Sequence, residues 1–201
     1  MRFDYACKRM LDLVVSGSLL AVLAIPLGIV CLVIRATSKG PALYEVTWAG
    51  RNGKLFRGYK LRTMVQGAAA MESELSKHNQ MKGPAFKMDN DPRITPIGRV
   101  LRKYSIDELP QLWSVFKGDM SLVGPRPPRM HEYAQFTEFQ KRKLEVKPGI
   151  TCLWQVEGRH NINDYNDWVA WDLKYIDSWS LWLDLRILAR TFVVVVQGTG
   201  Q

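Results

Sequence analysis

Twenty-two consecutive residues, Leu13 to Ile34, carry no charge: LVVSGSLLAVLAIPLGIVCLVI. A helix needs about 20 such residues to cross a bilayer, so the rest of the chain must fold beside a membrane. Two features argue against a plain crossing. Pro26 lies past the middle of the run, where it removes a backbone hydrogen bond and kinks a helix. Cationic residues also stand on both sides: Arg2, Lys8 and Arg9 before the run, and Arg35, Lys39, Arg51, Lys54, Arg57, Lys60 and Arg62 after it. The positive-inside tendency places both flanks on the cytoplasmic side. A re-entrant helix–break–helix, broken at Pro26, meets both observations; a straight crossing and a buried soluble helix are the alternatives. Residues 1–39 then form a membrane anchor and residues 40–201 a compact domain on the cytoplasmic face. Polar groups freed at a break must be satisfied inside protein, and Ser16 and Ser18 are candidates. Lys8 and Asp12 are one helical turn apart and can pair, and Lys8 and Arg9 can reach to headgroups.

The remaining sequence reads as α+β, mainly helical. Residues 42–59 hold two strand-like runs around Gly50-Arg51-Asn52-Gly53, a β-hairpin pattern. Helices are expected over 66–82, 97–103, 107–116, 130–146 and 164–177, with a short strand at 121–123 and a rigid loop at 124–128. The apolar segment 179–196 contains Asp184, Arg186 and Arg190, which makes it a poor membrane span. With Trp168, Trp171, Trp179 and Trp182 it suits an amphipathic helix in the headgroup layer, or else a buried core helix.

Charge narrows the partner. Lys and Arg number 28 against 19 Asp and Glu, a net charge of +9, which calls for an anionic partner such as acidic lipid, a phosphorylated small molecule or nucleic acid. No nucleic-acid motif accompanies the apolar run, so nucleic acid is set aside. Cys7, Cys31 and Cys152 show no metal or disulfide spacing, and His78, His131 and His160 show no ligand spacing.

The cations concentrate around Asp91–Pro128, where Asp107 and Glu108 form an adjacent acidic pair. Ser105-Ile106-Asp107-Glu108 has the form of a capping box, but Pro110 fits better if Asp107 itself caps the helix. Capping and catalysis are both open on spacing alone. Arg126, fixed between prolines, is suited to two-point phosphate binding. Lys60, Arg62, Arg99 and Arg102 are further phosphate candidates. Asp89 and Asp91 form an Asp-x-Asp pair that holds a divalent metal in some glycosyltransferases, although Asp91-Pro92 is also a turn signal.

Taken in order, these pieces resemble the bacterial sugar transferases, the monotopic phosphoglycosyl transferases. The resemblance rests on Lys8-Arg9-x-x-Asp12, Tyr59-Lys60-Leu61-Arg62-Thr63-Met64, Asp91-Pro92-Arg93-Ile94-Thr95 and Gly98-Arg99-x-Leu101-Arg102-Lys103. It continues through Asp107-Glu108-Leu109-Pro110-Gln111-Leu112, the run from Gly118 to Pro127, and Lys147-Pro148-Gly149-Ile150-Thr151. It implies a re-entrant anchor in the bacterial inner membrane, with catalysis on the cytoplasmic face. It implies transfer of a sugar 1-phosphate from a UDP-sugar to polyprenol (undecaprenyl) phosphate, releasing UMP, as the first membrane step of glycan assembly. Asp107 would be the nucleophile, forming a phosphosugar-aspartyl intermediate. Glu108 would support it, Mg2+ would sit at Asp107 and Glu108, and Arg126 would contact the nucleotide or its phosphates. The lipid bilayer is a partner, and a homodimer is compatible with the pattern.

The chain departs from the family pattern at three places. Ile25-Pro26 stands where Ser-Pro is common, Ser114 where Asn is expected, and Cys152 where Gly is expected. Larger members carry further transmembrane helices and another domain before this core, so a minimal form or an excised core is expected here. The rival readings are a metal-dependent glycosyltransferase using Asp89 and Asp91, which releases UDP, and a non-catalytic membrane adaptor.

Overall fold

The computed structural model describes residues 2–157 and 162–198; His160 lies outside them. In chain order the elements are α1 (Arg2–Thr37), β1 (Leu43–Ala49), β2 (Leu55–Leu61), α2 (Glu72–Leu75), α3 (Pro96–Lys103), α4 (Leu112–Lys117), β3 (Ser121–Val123), α5 (Met130–Tyr133), α6 (Glu138–Lys141), β4 (Gly149–Thr151), α7 (Leu153–Glu157), α8 (Tyr165–Asp177) and α9 (Leu181–Gln197), with short 3-10 turns between. Helix dominates, and the strands form only two-stranded sheets among the described residues.

The apolar run forms a single 36-residue helix, about 54 Å long at the usual rise. The expected helix–break–helix is therefore an uninterrupted helix, with Pro26 inside it. Proline deletes one N–H, here the partner of the Val22 carbonyl, but does not end a helix that is held on either side. Protein does hold it. Asp12, Val15, Ser16, Leu20, Leu23, Leu27, Cys31 and Ile34, at three- to four-residue spacing, make up an inner stripe that is buried or packed on the body. The outer face exposes Val14, Val22, Ile25, Ile29 and Leu32. Both ends of α1 dock on the same body. Near the start Lys8, Arg9 and Asp12 bond to α9, α4 and β3. At the end Arg62 Nη2 bonds to the Ser38 carbonyl and hydroxyl at 2.8 and 2.7 Å. Lys8 and Asp12 thus reach other elements rather than pairing with each other.

The hairpin forms as expected, with β1 and β2 antiparallel and in register from Leu43↔Leu61 to Ala49↔Leu55. Its turn places Asn52 at φ 56° and Gly53 at φ 75°, left-handed positions that Asn and Gly take most readily. β3 and β4 pair in parallel, a contact that the turn signal at Lys147-Pro148-Gly149 gives no hint of. Their ends approach so closely that a Cβ on Gly149 would lie 2.1 Å from the Gly124 nitrogen.

Two expected helices are mostly other structure. Residues 66–82 contain only the four-residue α2 and a 3-10 turn. Asn79 turns the chain back there, its Oδ1 accepting from the amides of Met81 and Lys87. Residues 130–146 divide into α5, α6 and a 3-10 turn. Buried Phe136 drops between them into a core with Met81, Ala85, Tyr165, Val169 and Leu173, and Thr137 starts a new capped helix.

The largest core joins Leu112 and Val115 of α4, Leu122 and Val123 of β3, Leu153, Tyr175 and Ile187, with Val15, Leu20 and Leu23 of α1 packed on it. α8 starts at its Asp164 cap. α9 buries Asp184 and Ile187 and exposes Trp182, Leu185, Phe192, Val193 and Val196. One of its faces lies in the core and an apolar face points outward.

Candidate active site

Three segments converge. The first is β2. Lys60, near its end, lies over the buried ring of Trp48 at 5.9 Å and points into the protein. Thr63 follows. α3 packs directly against this strand end: a Cβ on Gly98 would lie 2.1 Å from the Thr63 carbonyl oxygen. The Thr95 hydroxyl caps α3 by accepting from the Gly98 amide. Close packing of α3 brings Arg102 Nε to 3.0 Å from Thr63 Oγ1.

The second segment follows α3. Ser105 adopts φ 54° and ψ 23°, the left-handed region, where a non-glycine residue costs about 1–3 kcal/mol and persists because the surrounding structure holds it. The chain then enters the 3-10 helix Ile106–Gln111, which holds Asp107 and Glu108 in its first turn. The expected cap at Asp107 is not formed, because Ser105 is the residue before the helix and its side chain makes no cap. Asp107 is 8% exposed.

The third segment is the loop after β3. Gly124 and Pro125 are tied to β4 through the Thr151 carbonyl and the Gly149 amide, and the Ala49 amide donates to the Pro128 carbonyl. The loop is therefore held from both sides. It places Arg126 Nη1 3.2 Å from Glu108 Oε1, the same oxygen that Lys60 Nζ approaches at 2.7 Å.

The outcome is a buried carboxylate beside a carboxylate clamped by two cations. Burial, and then the neighbouring Glu108 charge, push the Asp107 carboxyl up to about 6 against the pull of Lys60, Arg102 and Arg126. Burial also lowers the Lys60 ammonium, which Glu108 and Asp107 support. Such a site holds a buried carboxyl that ionises at about pH 6 beside an array of cations suited to an anion. Its donors are carboxylate oxygens. One or two of these, completed by substrate phosphate oxygens and water, form the usual surroundings of Mg2+, so Asp107 and Glu108 fit that ion. Among the described residues no three His, Cys, Asp or Glu side chains gather into a self-sufficient metal site.

The structure thus brings Lys60, Arg102, Asp107, Glu108 and Arg126 together and leaves two candidates out. Arg62, just past the end of β2, turns to the C-terminus of α1. Arg99 is exposed on α3. Asp91 is taken by Arg93, whose Nε and Nη2 lie 3.0 and 2.7 Å from its carboxylate. Burial pulls the other way, but Arg93 keeps Asp91 below the usual carboxylate range. Asp89 is exposed. The Asp-x-Asp pair is therefore a structural turn. Arg129, which the sequence reading did not single out, lies at the far end of the Arg126 loop and approaches Glu72 at 3.9 Å.

An apolar cleft of about 360 Å³ opens between α1 and the acidic pair's segment, lined in part by Leu27, Gly28, Cys31, Tyr59, Pro110 and Trp113.

The sequence pattern described as bacterial sugar transferase matches residues 3–198. The chain is 47% identical over 194 residues to a galactosyl transferase, CpsE, of Streptococcus agalactiae, covering 96% of this chain and 43% of that protein. It is 43% identical to an undecaprenyl-phosphate galactose phosphotransferase of Salmonella typhimurium, covering 96% and 41%. It is 41% identical to a UDP-glucose:undecaprenyl-phosphate glucose-1-phosphate transferase of Caulobacter vibrioides, covering 92% and 67%. The chain spans less than half the length of the first two of these relatives.

Proposed function

Because this chain belongs to the bacterial sugar transferase family, we propose that it moves a sugar 1-phosphate from a UDP-sugar to undecaprenyl phosphate. The observation that carries the proposal is the buried Asp107 next to a Glu108 clamped by Lys60 and Arg126, beside an apolar helix. Asp107 attacks the sugar-bearing phosphorus. The bond from that phosphorus to the bridging oxygen breaks, UMP leaves with that oxygen, and a phosphosugar-aspartyl mixed anhydride (an acyl phosphate) remains. A phosphate oxygen of the lipid then attacks the same phosphorus and frees the Asp107 carboxylate, giving a lipid diphosphate sugar. Splitting the transfer lets a water-soluble donor depart before a membrane-bound acceptor reacts.

Lys60, Arg102 and Arg126 neutralise the diphosphate so that a carboxylate can approach it. Glu108 holds Lys60 and Arg126 in place. Mg2+, held by Asp107 and Glu108, would supply further charge neutralisation on the phosphate oxygens. The apolar cleft, walled by Leu27, Gly28 and Cys31 of α1 and by Pro110 and Trp113, supports a lipid acceptor, since its lining is apolar and starts beside the acidic segment. Docking of α1 on the body along its inner stripe, with an apolar outer face, supports a helix that presents that outer face to the bilayer on the cytoplasmic side of the inner membrane.

The test is product analysis. Full-length protein with Mg2+, a panel of UDP-sugars and undecaprenyl phosphate should release UMP and form a lipid-linked sugar, and Asp107→Asn should abolish both. Release of UDP would instead indicate a glycosyl transfer and overturn the proposal.

A further inference from the structure

The first turns of α1 hold two of the three catalytic segments. Asp12, 4% exposed, accepts at Oδ1 from the Ser121 hydroxyl at 3.0 Å and the Leu122 amide at 2.9 Å. The Leu122 amide lies on the edge of β3 away from β4, so Asp12 occupies a place that a third strand would otherwise take. Lys8 Nζ donates to the Val123 carbonyl at 3.0 Å and pairs with buried Asp184 at 2.5 Å. Arg9 donates from Nη1 to the Val115 carbonyl at 2.7 Å and from Nη2 to the Phe116 carbonyl at 2.8 Å. Those are end carbonyls of α4, where a cation is favoured.

The two targets are the two halves of the site. α4 continues directly from the 3-10 helix that holds Asp107 and Glu108. Val123 lies three residues before Arg126. A helix that only tethered an enzyme to lipid would need one join and no contact with buried amides. Here three polar side chains tie both α4 and β3 to α1, on either side of the short turn 118–120 that joins them, and these elements adjoin the segments that carry Glu108 and Arg126. We infer that Lys8, Arg9 and Asp12 are positioning residues for the transfer onto Asp107, a step in which no lipid takes part. The membrane helix is then part of the catalytic framework as well as its anchor.

The inference rests on the proposed activity only for its kinetic arm, so the test has two arms on the full chain in detergent. The first is amide hydrogen exchange, which needs no reaction. Asp12→Ala should speed exchange in residues 121–126, and Arg9→Ala in residues 106–117, each by about tenfold or more, leaving the hairpin 43–61 unchanged. The second is single-turnover UMP release from UDP-sugar without lipid. Both variants should slow it by on the order of 10²-fold, as expected for misplacement by about an ångström, with half-saturating donor concentration unchanged. Asp12→Asn keeps an oxygen able to accept both hydrogen bonds and should restore both readouts. Unchanged exchange in these segments, or exchange that rises equally everywhere, would overturn the inference. So would a normal lipid-free UMP burst with loss confined to lipid-dependent turnover. A wild-type protein that releases no UMP counts against the proposed activity, and the exchange arm still decides the positioning role.

Discussion

Gly28 offers a way to separate the two substrates. It lies on α1 in the wall of the apolar cleft, and a Cβ built there meets nothing within 4 Å. Replacing it with phenylalanine therefore fills the cleft and disturbs little else; replacing it with alanine adds one methyl and removes a mid-helix glycine, stabilising by about 0.5–1 kcal/mol. If the cleft receives the isoprenoid end nearest the lipid phosphate, the loss can be estimated. One five-carbon unit fully buried contributes about 4 kcal/mol at about 0.8 kcal/mol per carbon. The cleft is open on one side, which halves this to about 2 kcal/mol, or about thirtyfold in affinity. The assay is initial-rate UMP release in mixed micelles with lipid varied at saturating UDP-sugar, alongside the lipid-free single turnover. Gly28→Phe should raise the half-saturating lipid about thirtyfold and leave the lipid-free burst unchanged, and Gly28→Ala should behave as wild type. An unaltered lipid dependence in Gly28→Phe would refute the assignment of the cleft.

Other consequences follow from the site's charges. Asp107 is held at about 6, above an ordinary carboxyl near 3.9, so the native state binds more protons than the unfolded chain between about pH 4 and 6 and stability falls as pH rises through that window. In chelator, Asp107→Asn should therefore stabilise the protein by up to about 3 kcal/mol at pH 7 and by little below pH 4, read from denaturant unfolding. Lys60→Met removes a cation that favours the carboxylate, so the acid limb of lipid-free UMP release should move up by about one unit; a shift downward would contradict the assigned contacts. Away from the site, Lys143 and Asp172 pair at 2.7 Å with both side chains at most 2% exposed. Lys143→Met should cost about 3–5 kcal/mol because it strands a buried charge, and the double change with Asp172→Leu should recover most of it.

The sequence was most legible where the local rule and the tertiary fold agree. The hairpin was readable because Asn52 and Gly53 are the residues that tolerate positive φ. α8 and α9 were readable as helical segments over 164–177 and 179–196, and the caps Asp164 and Ser180 start them within two residues of those bounds. The stretch 66–82 looked helical from its alanines and glutamates, yet the Ala68 carbonyl accepts from Arg93 and the Lys82 amide donates to the Asn163 carbonyl, long-range bonds that propensity does not contain. Lys8 and Asp12 looked like a one-turn pair, but partners 176 and 110 residues away satisfy them. Lys60 and Arg62 are two residues apart in one basic run, and only the first remains inside the strand; the second passes its end and caps α1. The acidic pair was visible as a pair. Its distinction from a helix cap lay in the left-handed Ser105 and in Lys60 and Arg126, both far from it in sequence, so spacing alone left that choice open.

The central claim is that Asp107 becomes covalently bound to phosphorus. The direct measurement is acid-quenched peptide mass spectrometry of full-length protein incubated with its UDP-sugar and Mg2+ but no lipid acceptor. The account predicts a sugar-phosphate mass increment on the peptide containing Asp107, equimolar with released UMP, lost on adding undecaprenyl phosphate and absent from Asp107→Asn. Lipid-dependent product formed at full rate without any such adduct, or by Asp107→Asn itself, would contradict it.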